Sequence, residues 1–297
     1  MEQLPLFDIA PYPIEEPGLR FQNNAGPVWT NNKARLIQRY VRYFTFITKH
    51  GTYIDTFAGP QESDHPDSWA AKLVLEQEPP WMRNFALFEL NAAKVSRIKE
   101  MVAKLKPVPK RDIKVYAGDM NQNLKEYFRD FPIKDKEATF CLLDQHTFEC
   151  DWATVEMVAC HKGAGNKIEQ FYFLAQSWID RAEAGMKNEK EERLNRWWGN
   201  DGWKTLLQKP SEQRGFFLAD RFKTELGYKY AYSFAIYENP PSEGHGKVMF
   251  YMIHASDHPE APKLMLRAYN KAVTPLEPIE QMEMELAEYL PGVQADE

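Results

Sequence analysis

The first segment that could carry chemistry is 52–61, where a short apolar strand ends at Asp55 and runs into a turn containing Ala58 and Gly59. In doubly wound α/β proteins the ligand pocket lies beyond the carboxyl ends of the strands, and a glycine turn lets a ligand approach the backbone. The segment therefore predicts a nucleotide or cofactor pocket in which Asp55 reaches an ammonium group of the ligand. The alternative is that Asp55 ends the strand and caps the next helix.

Two more acids follow the next two apolar segments. A carboxylate at Glu89 could accept hydrogen bonds from both hydroxyls of a ribose, or it could be a surface acid that pairs with Lys94. Asp119 could accept the exocyclic amine of an adenine, with Met120 lying on the base. It could also cap a helix over 121–129, and the two roles are compatible.

A fourth polar segment follows a continuous apolar run at 138–143. It places an acid, an amide and an imidazole side by side, at Asp144, Gln145 and His146. Such groups suit general acid–base work or the orientation of a nucleophile. The alternative for His146 is an ordinary solvated histidine in a loop.

A tryptophan-rich segment has two interpretations, a stacking surface for a base or the buried core of a helical insertion. The residues concerned are Arg181, Trp197, Trp198 and Trp203, and we favour the second interpretation for the tryptophans. His254 and His258 have a spacing that metal ligands use, but Pro259 interrupts a helix there and no third ligand is evident. We therefore predict no metal site.

The elements that must position these residues alternate between strand and helix. Five apolar strands separated by helices predict a parallel, doubly wound, Rossmann-like sheet. Two later strands, 229–237 and 247–256, predict an antiparallel pair that completes it. The five parallel strands are expected around Tyr53-Ile54, 85–88, 113–116, 138–143 and 170–174, and the first helix is expected to begin at Thr30 or Asn31.

The predicted organisation is one α/β core with additions. It comprises an extended N-terminal arm (1–30), the cofactor-binding core (31–176), a helical insertion or cap (177–226), the C-terminal strands and helix (227–275) and an acidic tail (276–297).

Composition narrows the class of protein. The 297 residues carry a formal net charge of −6, so the chain as a whole is no polycation. Basic residues nevertheless concentrate in 33–49 and 94–114, which permits an anionic partner such as nucleic acid, although solvated helix faces explain them as well. Three cysteines lack metal or disulfide spacing, and no segment has the length of a membrane helix. We expect a cytoplasmic protein that does not contact a membrane.

With these segments placed, the chain resembles the three-Cys-motif partner protein family, a group with the class I S-adenosylmethionine (SAM)-dependent methyltransferase fold. The resemblance is carried by Tyr-Ile-Asp-Thr-Phe-Ala-Gly-Pro (53–60), Phe-Glu-Leu-Asn (88–91), Trp-Trp-Gly-Asn-Asp-Gly-Trp (197–203) and the C-terminal segments 249–259 and 263–268. It implies SAM as cofactor, methyl transfer as activity and a radical-SAM-like protein with three cysteines as partner. The predicted cofactor site comprises Asp55, Phe57, Ala58, Gly59, Glu89, Leu90, Asp119 and Met120, and the predicted catalytic residues are Asp144, Gln145 and His146.

Two departures from the family pattern keep other functions open. Gln61 stands where a second glycine is usual, and Gln145-His146 stands where the family tends to have a proline followed by an aromatic residue or glycine. Both favour the alternative of a catalytically inactive, methyltransferase-like scaffold that works by docking another protein. A nicotinamide dehydrogenase is a third hypothesis, weakened because the full GxGxxG turn is absent.

Overall fold

The computed structural model describes residues 28–60, 68–176, 178–179, 188–237, 248–272 and 276–289. Within them the sheet has seven strands: β1 Thr52–Asp55, β2 Asn84–Glu89, β3 Asp112–Ala117, β4 Thr139–Leu143, β5 Glu169–Ala175, β6 Tyr230–Tyr237 and β7 Val248–Ser256. Their order across the sheet is β3-β2-β1-β4-β5-β7-β6. The strands β1 to β5 are parallel, and β7 runs antiparallel between β5 and β6. The predicted α/β, Rossmann-like sheet is confirmed.

Helices cover both faces of the sheet, because each parallel crossover places a helix on one face or the other. Those on the first face are α1 Val28–Thr48, α2 Ala70–Leu75, α3 Ala92–Lys104, α9 Ala261–Asn270 and α10 Ile279–Tyr289. Those on the second face are α4 Met120–Asp130, α5 Trp152–Cys160, α6 Asn188–Trp198, α7 Trp203–Leu207 and α8 Ser211–Thr224.

The central strands β1, β4 and β5 are buried along their whole length because both of their faces are covered. Alternate residues of each strand therefore enter two separate apolar layers. Tyr53, Phe85, Phe140 and Phe171 pack under α1, whereas Ile54, Ala86, Cys141 and Tyr172 pack on the α4–α8 face.

Helix α1 differs from its prediction in two respects. It begins at Val28, before the expected cap at Thr30 or Asn31. Three of its four basic residues, Lys33, Arg39 and Arg42, are buried rather than solvated. They are tolerated because each has a carboxylate or carbonyl partner, as a buried cation requires.

Glu277 is one such partner and fixes the C-terminal segment to α1. Its carboxylate accepts hydrogen bonds from Arg39 and Tyr43, and its backbone carbonyl accepts one from Arg42 at 2.8 Å. Met282 and Leu286 of α10 are buried in the same layer. The described part of the predicted acidic tail is therefore a docked helix, while residues 290–297 lie outside the described ranges.

The tryptophan-rich segment belongs to the second face of the sheet. Trp197, Trp198 and Trp203 are 2–3% exposed, which confirms that they are core residues rather than a stacking surface. Their helices share one apolar layer with α4, α5 and α8. Arg181 and the N-terminal arm 1–27 lie outside the described residues. Among the helices that are described, none combines the length and apolar character that crossing a bilayer requires.

Candidate active site at the carboxyl edge of the sheet

The turn after β1 is joined by backbone hydrogen bonds to the strands on both sides. Ala58 donates to the carbonyl of Phe88 in β2 at 2.8 Å, and Thr56 donates to Leu142 in β4 at 3.1 Å. Gly118, after β3, donates to the carbonyl of Glu89 at 3.0 Å. The ends of β1, β2, β3 and β4 therefore form one continuous edge, at which the predicted site residues lie.

Gly59 and Glu89 meet directly at this edge. The backbone N–H of Gly59 donates to Oε2 of Glu89 at 3.0 Å, and Asn91 N–H donates to Oε1 at 2.8 Å. A Cβ at position 59 would lie 2.1 Å from Oε2 of Glu89 and 2.8 Å from Cδ of Lys94. Glycine is therefore needed for this approach. Each carboxylate oxygen of Glu89 still has a lone pair for a further donor.

Asp55 is buried at the end of β1. Its carboxylate accepts hydrogen bonds from the Tyr53 hydroxyl at 3.0 Å and from the Phe57 backbone at 3.1 Å. Burial raises the pKa of Asp55 to about 7, and the nearby carboxylates of Asp144 and Glu89 act in the same direction. A bound cation would favour the ionised form, so this carboxyl group suits an ammonium-bearing ligand.

The residues predicted to hold an adenosine group are split between surface and interior. Asp119 is exposed and caps α4 by accepting from Asn121 N–H at 2.7 Å. Leu90, beside Glu89, is an exposed apolar side chain (73%). Met120, by contrast, is buried in the α4 layer. In this arrangement Leu90, rather than Met120, is the apolar surface available beside Glu89.

Phe57 and Ala58 form the wall of the turn. Phe57 is half-buried against the second apolar layer. Ala58 is fully buried, and its carbonyl accepts a hydrogen bond from the indole of Trp69 at 2.6 Å. Gln61 lies outside the described residues.

At the end of β4, Asp144 forms a buried ion pair that the sequence analysis did not predict. Lys33 Nζ, from α1, lies 2.6 Å from Asp144 Oδ1, and both side chains are less than 10% exposed. The same ammonium lies over the rings of Phe173 and Phe250, at 4.7 and 5.0 Å from their centroids. Lys33 is thus a member of the site, held between a carboxylate and two aromatic faces.

Gln145 and His146 have different surroundings although they are neighbours. Gln145 is fully buried, donates to the Phe173 carbonyl at 3.1 Å and accepts from Glu149 and Cys150 N–H at 3.1 Å each. Its amide therefore braces the loop against β5 and faces the interior. His146 is half-buried, and burial lowers the pKa of its imidazole, so the ring is neutral at neutral pH.

A hollow lies where α1, the β1 turn, α2 and the end of β4 meet. Lys33, Asp55, Gly59, Trp69 and Asp144 contribute to its walls, and its cavity volume is about 10 Å³. That is about the space that one water molecule needs. The half of the edge near β4 is therefore closed, whereas Glu89, Leu90 and Asp119 lie on its open half.

The two basic segments have different exposure. In 33–49, Lys33, Arg39 and Arg42 are buried against Asp144 and Glu277, whereas Arg35 is exposed and Lys49 half-buried. In 94–114, exposed lysines remain on α3 and the following loop: Lys99, Lys104, Lys106 and Lys110.

A comparison of the chain with protein-family models and with curated proteins finds no match to either.

Proposed function

We propose that the protein binds S-adenosylmethionine at the carboxyl edge of its sheet and transfers the methyl group to an acceptor that is still to be identified. The observation that carries the proposal is the contact between Gly59 N–H and Glu89, with Asp55 and Asp119 at the neighbouring strand ends. A parallel sheet completed by an antiparallel C-terminal pair, as class I methyltransferases have, also supports it.

The residues of the open half fit an adenosine group. Glu89 retains acceptor capacity for two ribose hydroxyls, Asp119 has a free oxygen beside its cap, and Leu90 offers an apolar surface to a base. The closed half fits the amino-acid end less well, because its hollow holds about one water. Binding of the whole cofactor therefore requires the wall that contains Lys33 or Trp69 to move.

When bound, SAM supplies an electrophilic methyl group on a sulfonium that is already a good leaving group. The residues of the chain would position the reactants, which is the largest contribution available to such a reaction. Asp55 would pair with the ligand ammonium and ionise as it does so. His146, neutral because it is partly buried, would take the proton from the acceptor nucleophile. Gln145 would hold the loop that carries His146.

The buried Lys33–Asp144 pair favours a second candidate function, a methyltransferase-like scaffold without catalysis. Asp144 is engaged by an ion pair of this chain, and the adjoining hollow is small. Such a subunit would act by docking another protein. The three-Cys-motif, radical-SAM-like protein implied by the resemblance is the partner to test first.

Calorimetry with SAM and its demethylated product tests the cofactor site. We expect both to bind, and Glu89→Gln to weaken them about tenfold or more because a charged acceptor for two hydroxyls is lost. Glu100→Gln, an exposed position on α3, is the matched control and should leave the affinity unchanged. If neither compound binds, the proposal is wrong, and binding of NAD instead would support a dehydrogenase.

A labelled-methyl assay separates the enzyme from the scaffold. The substrates are bulk tRNA, DNA and a co-expressed three-Cys-motif protein. Transfer that is lost in His146→Ala and kept in His50→Ala, an exposed histidine, supports catalysis. Tight binding of SAM without transfer to any of these supports the scaffold.

A further inference from the structure

A row of positive charge lies where the parallel strands begin, at the edge of the sheet opposite the candidate active site. Backbone hydrogen bonds join the strand beginnings there: Arg83 N–H donates to the Gly51 carbonyl at 3.1 Å, and Asp112 N–H donates to Arg83 at 2.8 Å. Thr52 N–H donates to the Ala138 carbonyl at 2.9 Å. The loops before β3, β2, β1 and β4 therefore form one continuous surface, which we call the amino edge. In that order the loops are 105–111, 76–83, 49–51 and 131–138.

The charge of the amino edge is opposite in sign to that of the whole chain. Its four loops contain seven lysines and arginines against four acids, whereas the chain has a net charge of −6. Three of the acids have partners within the chain. Glu76 pairs with Lys72, Asp135 accepts two backbone hydrogen bonds, and Glu137 accepts two from side chains. Because a surface with an excess of one charge attracts ligands of the opposite charge, the amino edge favours a polyanion.

Five of the seven cations are exposed and form no ion pair within the described part of the chain. They are Arg83, Lys106, Lys110, Lys134 and Lys136. The other two, Lys49 and Arg111, are half-buried. Lys49 Nζ lies 4.2 and 4.6 Å from the ring centroids of Phe46 and Trp81, and Arg111 donates to two backbone carbonyls. No carboxylate of the described residues therefore forms an ion pair with any of the seven.

Two of these lysines have a backbone conformation that lysine rarely adopts. Lys49 and Lys110 have φ angles of 57° and 63°, and they are the non-glycine residues with positive φ in the described ranges. Lys49 follows the last residue of α1, a position at which helices most often have glycine. A Cβ is unfavourable in this conformation, so glycine would suit both turns better. Lysine at both positions indicates that the ammonium groups have a use beyond the turns.

Nucleic acids and anionic membranes are the two polyanions to separate. A protein segment that lies on a membrane combines basic residues with an exposed apolar face. Phe131 is the large apolar side chain that these loops expose, and Lys114 Nζ lies over its ring, 4.4 Å from the centroid. One ring does not make an apolar face, whereas a nucleic-acid backbone requires only the cations. The amino edge therefore fits a nucleic acid better.

We propose that the amino edge binds the phosphate backbone of a nucleic acid without reading its sequence. The beginnings of four neighbouring strands lie about 4.8 Å apart, so the surface extends about 14 Å across the sheet, which is enough to contact several successive phosphates. The contacts are the five exposed cations. This surface is independent of the methyltransferase proposal, because it uses none of the same residues.

Fluorescence anisotropy tests the amino edge in the full-length protein, with labelled oligonucleotides of about 20 nucleotides in single-stranded and duplex form. We expect at least one form to bind at about 50 mM salt and to bind more weakly at about 200 mM. Lys106→Gln/Lys110→Gln and Lys134→Gln/Lys136→Gln each neutralise two cations, in the loops before β3 and β4. Each pair should weaken binding about tenfold and reduce the slope of log affinity against log salt by about 1.5.

Lys99→Gln/Lys125→Gln is the matched control, because it removes the same charge from exposed lysines in the middle of α3 and α4. It should leave the affinity and the salt slope unchanged, and all three double variants should keep the parental melting temperature. The proposal is wrong if neither oligonucleotide binds, or if the control weakens binding as much as the other pairs do. A loss confined to one of those two pairs would overturn the continuous surface. Binding to phosphatidylserine vesicles and to neither oligonucleotide would assign the amino edge to a membrane instead.

Discussion

The two halves of the carboxyl edge carry similar acidic residues but differ in whether those residues are exposed or buried. Near β2 and β3, Glu89 and Asp119 bind backbone N–H groups and remain partly or wholly exposed, with Leu90 uncovered beside them. Near β1 and β4, Asp55 and Asp144 are buried, and a lysine from α1 fills the space next to them. Acids in the first half are therefore available to a ligand at once, whereas those in the second require a rearrangement of their neighbours.

Lys33→Met should give the largest effect, because it removes the ammonium group that lies 2.6 Å from the buried Asp144 carboxylate. Removing one partner of a buried ion pair costs about 3–5 kcal/mol. We expect that loss in the free energy of unfolding measured with urea. Lys99→Met, at an exposed lysine of α3, is the control and should change stability by less than about 0.5 kcal/mol. A loss below about 1 kcal/mol for Lys33→Met would show that the closed half is solvated.

The double variant Lys33→Met/Asp144→Leu tests whether the buried carboxylate causes this loss of stability. Replacing both partners by apolar groups removes the buried carboxylate together with the ammonium, so most of the lost stability should return. If the double variant is no more stable than Lys33→Met, the carboxylate is not what makes the single change costly.

Asp55→Asn tests the closed half through the pH dependence of the unfolding free energy. The folded-state pKa of Asp55 is raised from 3.8 to about 7, so the folded protein binds this proton more tightly than the unfolded chain does. The carboxyl group therefore costs stability progressively as pH rises from about 4 to 7, by up to about 4 kcal/mol. We expect Asp55→Asn to match the parent near pH 4 and to exceed its unfolding free energy at pH 8. An advantage that is constant with pH would contradict this.

Gly59→Ala tests the junction between the two halves. The added methyl group displaces the ends of Glu89 and Lys94, which are flexible side chains, so the cost to stability should be about 1.5 kcal/mol or less. Affinity for SAM should fall much more, because Glu89 leaves the position that its bond to Gly59 fixes. Thermal unfolding and calorimetry measure the two effects. Unchanged affinity for SAM would show that Glu89 does not belong to the cofactor site.

Asp119→Ala should have the smallest effect on stability in this series. The side chain caps α4, and losing such a cap costs about 1 kcal/mol. Asp119→Asn is the matched variant, since asparagine caps a helix equally well and should retain the parental melting temperature. Equal losses in the two variants would mean that the charge, not the cap, stabilises the helix.

The open half of the site could be predicted from sequence because it depends on local patterns. An apolar strand followed by an acid places Glu89 at the edge, and an acid before a helix predicts the cap at Asp119. The sheet itself follows from the same alternation. The prediction that Met120 lies on the base rests on its position next to Asp119, whereas the first turn of α4 directs its side chain into the core.

The closed half depends on contacts between residues distant in sequence, which local patterns do not contain. Lys33 and Asp144 are 111 positions apart. One signal was present: Lys33 precedes Leu36, Ile37 and Tyr40 by three, four and seven residues, which places it on the apolar stripe of α1. Gln145 was predicted as catalytic from its neighbours, whereas its amide braces the loop through the Phe173 carbonyl on β5.

The attachment of Glu277 to α1 has a consequence for synthesis. Arg39 and Arg42 leave the ribosome long before Glu277 does, and until it arrives neither guanidinium group has the hydrogen bond that Glu277 gives it. We therefore expect the final packing of α1 around these two arginines to be completed only after Glu277 has emerged.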